Sequence, residues 1–425
     1  MEHIKARSRA VPARQFSTIP NVAPLASDKQ ILDWEQARST VIDAVRQSPL
    51  PLAIETVTLT HAYRRVLSED VAADRDYPAL ARSLRDGFAV HASDVPGTLQ
   101  VAGEVRAGQG EHEELLPGHA LEIMTGAPVP PGADAIVMVE HVQRHGDRVT
   151  VPQSANPAQF VNARGAEVAE GAVLIHAGTR LDSSHIATLA MTGHTSVEVY
   201  RKPSIAILST GDELVPISET PLPHQIRNSN SYALASLVVA AGGKANILPV
   251  APDTEAGLLA SLERGLAYDM LLISGGVSAG KYDLVKPCLR KLSGEFIFER
   301  VRIQPGQPTA FGRVRNKFVF GLPGNPGSSM VTFQLFAKAA IHLLSGETEA
   351  LLPILRATFE APFKHKLGLT RFLPARLSEN GMLRHIPWQG SSDIPALARA
   401  NVFLIADHDR ESWAPNDTIR VMLKS

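Results

Sequence analysis

The sequence predicts a multidomain fold that combines a parallel-sheet α/β domain with β-rich domains, and three observations support this. From Lys202 onward, short apolar runs typical of strands alternate with helix-like stretches, as in a parallel sheet with helical crossovers. Between Pro51 and about residue 200, short alternating runs are separated by glycine and proline, which indicates mainly β structure. A chain of 425 residues is long enough for roughly two to four domains.

The N-terminal region divides into a tail and a packing helix. Residues 1–27 are predicted to be a disordered tail, with an organellar transit peptide as the alternative because arginine and serine are frequent there. A helix is predicted from Asp28 to the prolines at 49 and 51, with Ser27 available as its N-cap. Its apolar face comprises Ile31, Trp34, Ile42 and Val45.

Composition and charge argue against several classes of partner. The formal net charge is −1, so no basic excess indicates binding to nucleic acid or to an anionic membrane. All apolar runs are shorter than the roughly 18 residues that span a bilayer, which predicts a soluble protein. The single Cys288 permits no internal disulfide and no thiolate metal cluster, which fits a reducing compartment such as the cytoplasm. The predicted ligand is therefore small.

Three glycine-rich segments each follow a predicted strand of the α/β region. The strand SIAILS leads into Thr210–Glu213, DMLLIS into Gly275–Gly280, and KFVFG into Leu322–Ser329. Because the carboxyl ends of parallel strands share one sheet edge, we expect these loops to gather there. Loop amides and helix N-termini at such an edge bind oxyanions, so the sequence predicts a site for a phosphorylated ligand.

Acidic residues accompany these loops. Asp212 and Glu213 lie in the first loop, Asp253 follows the strand ANILPV, and Asp283 follows the second loop. Carboxylates near a phosphate require a divalent cation such as Mg²⁺, or they bind amino and hydroxyl groups of the ligand instead. Both alternatives indicate a polar ligand. The competing interpretation is that Asp212 and Asp283 cap helices.

No nucleophile or metal motif is convincing. The segment Gly276–Gly280 matches GxSxG, which would make Ser278 a hydrolase nucleophile, but the two other glycine-rich loops favour a ligand site. The chain has neither HExxH nor a P-loop motif, and its loops do not supply the GxGxxG of dinucleotide sites. His141 and His145 have no obvious third ligand, which favours surface or packing roles for both.

Several longer motifs resemble one protein family. In chain order they are RDGFAV, AGQ, IMTGAPVPPGADAIVMVE, ILSTGDEL, IRNSNSYAL, ISGGVSAGKYDLVK, IQPGQPTAFG, GLPGNPGSS and GSSDIPALARANVFL. They are similar to motifs of the molybdopterin molybdotransferases, the group of bacterial MoeA and the eukaryotic gephyrin E-domain. The resemblance extends from about residue 28 to the C-terminus.

The resemblance implies a reaction and an architecture. The implied reaction inserts molybdenum from molybdate into adenylylated molybdopterin and releases AMP, with Mg²⁺ assisting. The implied protein is an elongated homodimer with transient contacts to cofactor-pathway proteins or molybdoenzymes. An elongated N-terminal linker domain is expected at 28–75 and 150–200, with a β-rich second domain at 76–149 between its two parts. A MogA-like molybdopterin-binding α/β domain is expected at 201–347, and a small C-terminal β-barrel at 348–425.

The resemblance also assigns site residues. It implies catalytic roles for Asp86, Thr125, Glu213, Asp253 and Asp283, and metal binding by Asp212, Glu213 and Asp253. Asp86 and Thr125 match positions that close the family's cleft, from the same or a partner subunit. Ligand binding is implied for Ser209, Thr210, Gly211, Asp212, Gly275, Gly276, Ser278, Gln304, Pro323, Gly324, Asn325, Pro326 and Ser328. Ser278 and Ser328 are the candidates for oxyanion contact, with helix N-caps as their alternative role.

The chain departs from the family pattern near one of these residues. Gln304 and Gln307 replace two lysines, so a charge-assisted bond to an oxyanion becomes a neutral bond of about half the strength. The nearby Arg300, Arg302 and Arg313 are candidates for restoring the charge.

Two other functions stay open. The two substituted lysines are the reason to consider a non-catalytic scaffold, which would hold the pterin without turnover. Adenylylation of molybdopterin is a third possibility because the family that catalyses it shares the α/β domain, but the additional domains argue against it.

Overall fold

The computed structural model describes residues 31–48, 52–108, 110, 112–276 and 284–424, so the predicted tail lies outside the described residues. Helix α1 (Trp34–Arg46) does not start at Asp28 as predicted, because Asp33 and Gln36 form a reciprocal capping box that fixes its first turn. Ser27 is therefore not its N-cap. The helix buries Trp34, Ala37, Arg38, Val41 and Val45.

The elements between residues 54 and 200 are short and mainly β, as predicted. In chain order they are β1 (Ile54–Thr58), β2 (Val71–Ala72), β3 (Arg82–Ser83), β4 (Gly87–Val90), β5 (Gly97–Val105), β6 (His119–Ile123), β7 (Ala135–Met138), β8 (Gln143–His145), β9 (Arg148–Val151), β10 (Val161–Asn162), β11 (Val173–Ile175), α2 (Ser183–Met191) and β12 (Ser196–Tyr200). Short 3₁₀ turns occupy Leu59–His61, Ala92–Asp94 and Val139–His141.

Two groups of these strands enclose separate cores. The sheet β7-β4-β6-β5-β9-β8 covers an apolar core that includes Phe88 and Val137. The antiparallel pairs β1–β12 and β2–β11 surround a second core with Leu67 and Leu181. The chain thus leaves one unit, forms the sheet and returns to the first unit, while the domain boundaries themselves stay a prediction.

The α/β region follows. Its elements are β13 (Ser204–Ser209), β14 (Leu214–Val215), β15 (Ile226–Arg227), α3 (Ser229–Ala240), β16 (Lys244–Ile247), α4 (Glu255–Gly265), β17 (Met270–Ser274), α5 (Val285–Lys291), β18 (Glu295–Phe298), β19 (Ile303–Gln304), β20 (Ala310–Val314), β21 (Lys317–Leu322), α6 (Pro326–Thr332), a π-helical turn (Phe333–Ala337) and α7 (Lys338–Leu344). Within the described ranges, no helix combines the length and the apolar character needed to cross a membrane.

The α/β sheet has the strand order β16-β13-β17-β21-β20-β18. Its first four strands are parallel, as predicted. The prediction missed the antiparallel edge, where Arg315 and Asn316 connect β20 to β21 with φ values of 47° and 64°. These left-handed values fit a two-residue hairpin turn, but the sequence lacks the Asn-Gly or Asp-Gly pair that normally signals one.

The C-terminal region is a closed barrel, which confirms the predicted fold class. Its elements are β22 (Ile354–Phe359), β23 (Phe363–Lys364), β24 (Thr370–Leu377), β25 (Met382–His385), α8 (Ile394–Arg399), β26 (Val402–Ala406), β27 (Ser412–Trp413) and β28 (Thr418–Leu423). Strands β24, β25, β22, β28 and β26 pair in that order, and β26 pairs back with β24. Strand β19 of the α/β region pairs with the first two residues of β24, Thr370 and Arg371.

Helix α1 packs between the α/β region and the barrel. The Trp34 ring meets Phe372 of the barrel edge-on, with the ring centroids 5.7 Å apart. Arg38 donates hydrogen bonds of 2.5 Å to the carbonyl of Leu335 in the π-helical turn and to that of Ala350. Burial lowers the pKa of Arg38 to about 10. The helix thus packs against the α/β region and the barrel, while its predicted membership of the N-terminal linker domain stays a prediction.

A buried histidine should make the stability of this junction sensitive to acid. Burial and the nearby cations Arg180, Lys338 and Arg38 lower the pKa of His342 to about 3, and Glu347 lies 3.6 Å from its ring. In the unfolded chain a histidine has a pKa near 6.5, so between about pH 6.5 and 3 the unfolded state binds a proton that the folded state does not bind. The free energy of unfolding should therefore fall as the pH drops from about 6.5 toward 3, by at most about 1.4 kcal/mol per pH unit.

His342→Gln tests this pH dependence, because glutamine keeps a neutral polar side chain that does not titrate. Urea unfolding of both proteins between pH 7 and 5 should show a smaller loss of stability in the variant. Equal losses in both proteins would mean that other groups cause the acid sensitivity.

Candidate active site

The described parts of the three predicted loops, which for the second loop are Gly275 and Gly276, meet at the carboxyl edge of the parallel sheet. They follow β13, β17 and β21 directly. They line a cleft of about 450 Å³, called the first cleft below. Of the residues predicted for the site, this cleft is lined by Ser209, Thr210, Gly211, Glu213, Asp253, Gly275, Gly276, Pro323, Gly324, Asn325 and Pro326. Most of the ligand-binding prediction thus falls on one surface.

Glycines allow the first and second loops to touch. Gly275 has a φ of +96°, and a Cβ there would lie 2.9 Å from the carbonyl oxygen of Thr210. Gly211 has a φ of +140°, and a Cβ there would lie 2.6 Å from both carboxylate oxygens of Glu213. A side chain at either position would push the loops apart or displace the carboxylate, so the glycines set the shape of the cleft.

Two acidic residues fix the first loop to the segment after β16. The backbone N–H of Asp212 donates to Asp253 Oδ2 at 3.2 Å, and the N–H of Asp253 donates to Asp212 Oδ1 at 3.3 Å. Asp212 is not a helix cap, since the next element is strand β14. No three His, Cys, Asp or Glu side chains in the described part of the chain lie close enough together to hold a metal ion. Metal binding by Asp212, Glu213 and Asp253 therefore stays a prediction.

Ser209 and Asn230 have different roles in the first cleft. The Ser209 hydroxyl is buried against Asn228 and Ser231, at 3.2 and 2.9 Å, so it supports the cleft from within. The Nδ2 of Asn230 donates to the Gly324 carbonyl at 2.6 Å, which fixes the orientation of the amide. Its Oδ1 is then buried without a partner among the described residues, and it can accept an N–H from a ligand. The residue list predicted from sequence did not contain Asn230, although the motif IRNSNSYAL includes it.

The third loop is held by the barrel. Asn325 is the N-cap of α6, but its side chain donates to Ser391 Oγ at 2.9 Å instead of capping the helix. The N–H of Gly327 donates to the Ser391 carbonyl at 2.7 Å. The backbone N–H of Gly327 is therefore not available to bind an anion. The predicted alternative role of Ser328 as a helix N-cap is wrong, since this residue lies inside the first turn of α6, where it is buried.

Gln304 and Ser328 line a second cleft of about 500 Å³ that also includes barrel residues. Pro308 lines both clefts, so the two are adjacent. Pairing of β19 with β24 places Gln304 opposite Arg371. The Nε of Arg371 is buried and has no hydrogen-bond partner among the described residues. A cation with an unused donor at this position makes the second cleft suitable for an anion.

The arginines expected to restore the missing charge lie elsewhere. Arg313 donates to a backbone carbonyl of α1, and Arg302 lies 3.6 Å from Asp33. Neither they nor Arg300 line the second cleft, whereas Arg371 does. The prediction did not include Arg371, which lies opposite Gln304 only because two strands distant in the chain pair with each other.

Family models match nearly the whole chain. Residues 32–193 match the MoeA N-terminal region (domain I and II), 206–343 a probable molybdopterin binding domain, and 356–424 the MoeA C-terminal region (domain IV). A molybdopterin molybdenumtransferase of Haemophilus influenzae is 32% identical over 92% of this chain and 98% of its own length. The chain belongs to the MoeA family.

Other members of the family agree with this placement. A molybdopterin molybdenumtransferase of Bacillus subtilis is 33% identical over 87% of this chain and 89% of its own length. The crystal structure of the molybdopterin biosynthesis moeA protein from Pyrococcus horikoshii OT3 matches with a TM-score of 0.77 at 28% identity, over 93% of this chain and 100% of that chain. The resemblance inferred from the motifs is confirmed, and the chain is classed with these relatives as a transferase that serves molybdenum cofactor biosynthesis.

Asp86 and Thr125, which the MoeA resemblance also singled out, are hydrogen-bonded to each other. The Oδ1 of Asp86 accepts hydrogen bonds from the backbone N–H and the hydroxyl of Thr125, at 2.6 and 2.8 Å. These bonds lower the pKa of Asp86 and keep it ionised. Neither residue lines the first or the second cleft. Ser278 and Asp283 lie outside the described residues.

Proposed function

We propose that this chain inserts molybdenum from molybdate into adenylylated molybdopterin and releases AMP. The observation that carries the proposal is that two clefts of different chemistry are adjacent at Pro308. The first offers loop amides, carboxylates and an unpaired amide oxygen. The second offers one arginine with neutral donors. Transfer of molybdenum from bound molybdate to bound molybdopterin requires the two ligands to lie side by side in a fixed orientation.

In the proposed complex, adenylylated molybdopterin occupies the first cleft. Its pyrophosphate lies against the loops that follow β13, β17 and β21, where backbone amides at a sheet edge suit phosphate oxygens. Asn230 Oδ1 accepts an N–H of the pterin, which satisfies an acceptor that is otherwise buried and unpaired. Glu213 and Asp253 accept further N–H groups of the pterin or bind a cation.

The donor set of the first cleft fits Mg²⁺. Glu213 and Asp253 supply hard oxygen ligands, and Mg²⁺ usually completes its shell with water and substrate phosphates rather than with a protein cage. This preference agrees with the lack of a three-residue cluster among the described residues. When bound there, Mg²⁺ would neutralise the charge of the pyrophosphate during its cleavage.

Molybdate occupies the second cleft in this proposal. Arg371 supplies the positive charge and a planar set of donors, which suits a tetrahedral dianion. Gln304 and Gln307 add neutral donors from the facing segment. The hydroxyl of Ser391 also lines the cleft, and it accepts from Asn325, so its own proton is available to an oxyanion. Arg371 thus compensates for the charge that the two glutamines lack.

We further propose that the chain acts as a homodimer in which Asp86 and Thr125 complete the first cleft of the partner. The pair lines neither cleft of its own protomer, yet the Asp86 carboxylate is exposed and oriented by two hydrogen bonds. Its ionised state suits contact with a cation or with N–H groups of a ligand.

Mixed dimers of two inactive variants test this arrangement. Asp86→Asn and Glu213→Gln remove groups of the same composite site. If that site is shared between subunits, each mixed dimer regains one intact site, and a random mixture should recover about a quarter of the wild-type activity. No recovery, with subunit exchange verified by mass spectrometry, would place both residues in one protomer's site.

A reconstitution assay tests the proposed reaction. The purified protein is mixed with adenylylated molybdopterin, molybdate and Mg²⁺, and AMP release is followed together with activation of an apo-molybdoenzyme. Both products should form, and both should depend on molybdate. AMP without transferable cofactor would contradict the reaction, and tight binding of molybdopterin with neither product would favour the scaffold alternative.

A further inference from the structure

We propose that Trp34, at the start of α1, is a positioning residue that holds Arg371 opposite Gln304 in the second cleft. This inference rests on the proposed binding of molybdate to that cleft. The two side chains lie on neighbouring strands, β24 and β19, whose ladder comprises only the pairs Ile303–Thr370 and Gln304–Arg371. Strand β24 is also held by β26, where Arg371 pairs with Ala406, but β19 has only these two pairs, so its position relative to Arg371 depends on what packs behind it.

Trp34 packs behind the strand that carries Arg371. Arg371 and Leu373 line the second cleft, and the intervening Phe372 points to the opposite face, as strand alternation requires. Phe372 is fully buried there, and Trp34 meets it edge-on with an interplanar angle of 88°. The guanidinium of Arg420 lies 5.7 Å from the centroid of the indole ring, so Trp34 is held from the barrel side as well.

The residues just before Trp34 hold the other strand of the ladder. Leu32 forms a parallel bridge with Val301, two residues before β19 begins. The N–H of Arg302 donates to the carbonyl of Leu32 at 2.8 Å. The segment Leu32–Trp34 therefore contacts the residues that lead into β19 through its backbone and contacts β24 through the indole ring.

The Trp34 side chain therefore influences the distance between the two donors, Arg371 and Gln304. A site that recognises a small oxyanion requires its donors to be held to within about half an ångström, which packing behind them provides. Strand β24 is fixed in the barrel by its pairing with β26, so in Trp34→Ala the loss of the ring behind Phe372 would loosen the segment Leu32–Trp34 and the β19 strand that follows its contacts, and Gln304 would no longer be held opposite Arg371. A larger separation of the two donors weakens molybdate binding although neither donor has been changed.

The experiment compares three variants of the full-length protein. Trp34→Ala removes the ring, Trp34→Phe keeps an aromatic ring, and Val41→Ala removes a fully buried side chain two turns further along the same helix. Calorimetry with molybdate alone measures binding, kinetics give the molybdate KM and kcat, and hydrogen–deuterium exchange covers the segments 301–308 and 369–373.

Trp34→Ala should weaken molybdate binding and raise its KM by about tenfold with little change in kcat, and should increase exchange in both segments. Trp34→Phe should restore most of the binding. Val41→Ala should lower the melting temperature but leave the molybdate KM and the exchange of the two segments unchanged. Equal effects of Trp34→Ala and Val41→Ala would overturn the proposal, because they would indicate general destabilisation.

The exchange measurement separates this inference from the proposed function. If the wild-type protein does not bind molybdate, the assignment of the second cleft fails. Increased exchange at 301–308 and 369–373 in Trp34→Ala alone would still support the positioning role. Unchanged exchange there would contradict that role even if the wild-type protein binds molybdate.

Discussion

Replacement of Arg371 by alanine should weaken molybdate binding by roughly 10- to 100-fold, since a hydrogen bond to a charged group contributes about 1.5–3 kcal/mol. The neighbouring Gln304 and Gln307 are neutral and cannot replace the charge. The fold should tolerate the change, because the buried Nε of Arg371 has no hydrogen-bond partner among the described residues. Calorimetry with molybdate and the molybdate KM both measure the effect.

Arg376→Ala is the matched control for this variant. Arg376 lies on the same strand, is exposed and does not line the second cleft, so its removal changes the net charge equally. Arg371→Lys should recover only part of the affinity, because an ammonium group lacks the planar fork of the guanidinium. Wild-type molybdate affinity in Arg371→Ala, or an equal loss in Arg376→Ala, would show that molybdate does not bind in the second cleft.

Glu213→Gln should lower kcat by roughly 100-fold or more, which is the usual cost of removing one preorganised electrostatic contact. Glu213 lines the first cleft and is exposed, and no described residue donates a hydrogen bond to its carboxylate. The melting temperature should therefore stay close to that of the wild type. The molybdate affinity should also persist, since Arg371 and Gln304 lie in the other cleft.

Glu219→Gln is the control for the first cleft. Glu219 is an exposed carboxylate a few residues beyond β14 and does not line the cleft, so full activity is expected. Wild-type turnover in Glu213→Gln would show that the catalytic site lies elsewhere. A marked fall in its melting temperature would instead assign the carboxylate a structural role.

The first cleft could be predicted from the sequence because its parts are local. Each glycine-rich loop directly follows an apolar strand, and parallel strands bring their carboxyl ends to one edge. The predicted residues between Ser209 and Pro326 therefore converge with few corrections. The unpaired oxygen of Asn230 was not predictable, since it depends on how the amide bonds to Gly324 in the third loop.

The second cleft could not be predicted, because it depends on contacts between distant parts of the chain. Strand β19 has two residues, and its pairing with the barrel decides that Arg371, rather than Arg300 or Arg302, faces Gln304. Asn325 shows the same limit. The motif implied a ligand-binding role for Asn325, and it could not reveal that the side chain donates to Ser391 of the barrel, 66 residues further along the chain.

Helix α1 illustrates how an amphipathic pattern predicts burial but not the burying surface. The spacing of Trp34 and Val45 indicated one packed face, and both residues are buried. The pattern could not reveal that this face contacts the α/β region and the barrel. That choice matters for function, because the start of α1 lies behind the strands that form the second cleft.

The location of the oxyanion in crystals tests the two-cleft arrangement most directly. Crystals soaked with AMP and either molybdate or tungstate, a tetrahedral dianion of nearly equal size, would be measured at the metal absorption edge. We expect an anomalous peak within hydrogen-bond distance of Arg371 and Gln304, with AMP at the loops of the first cleft. A peak beside Glu213 and Asp253, with none beside Arg371, would contradict it.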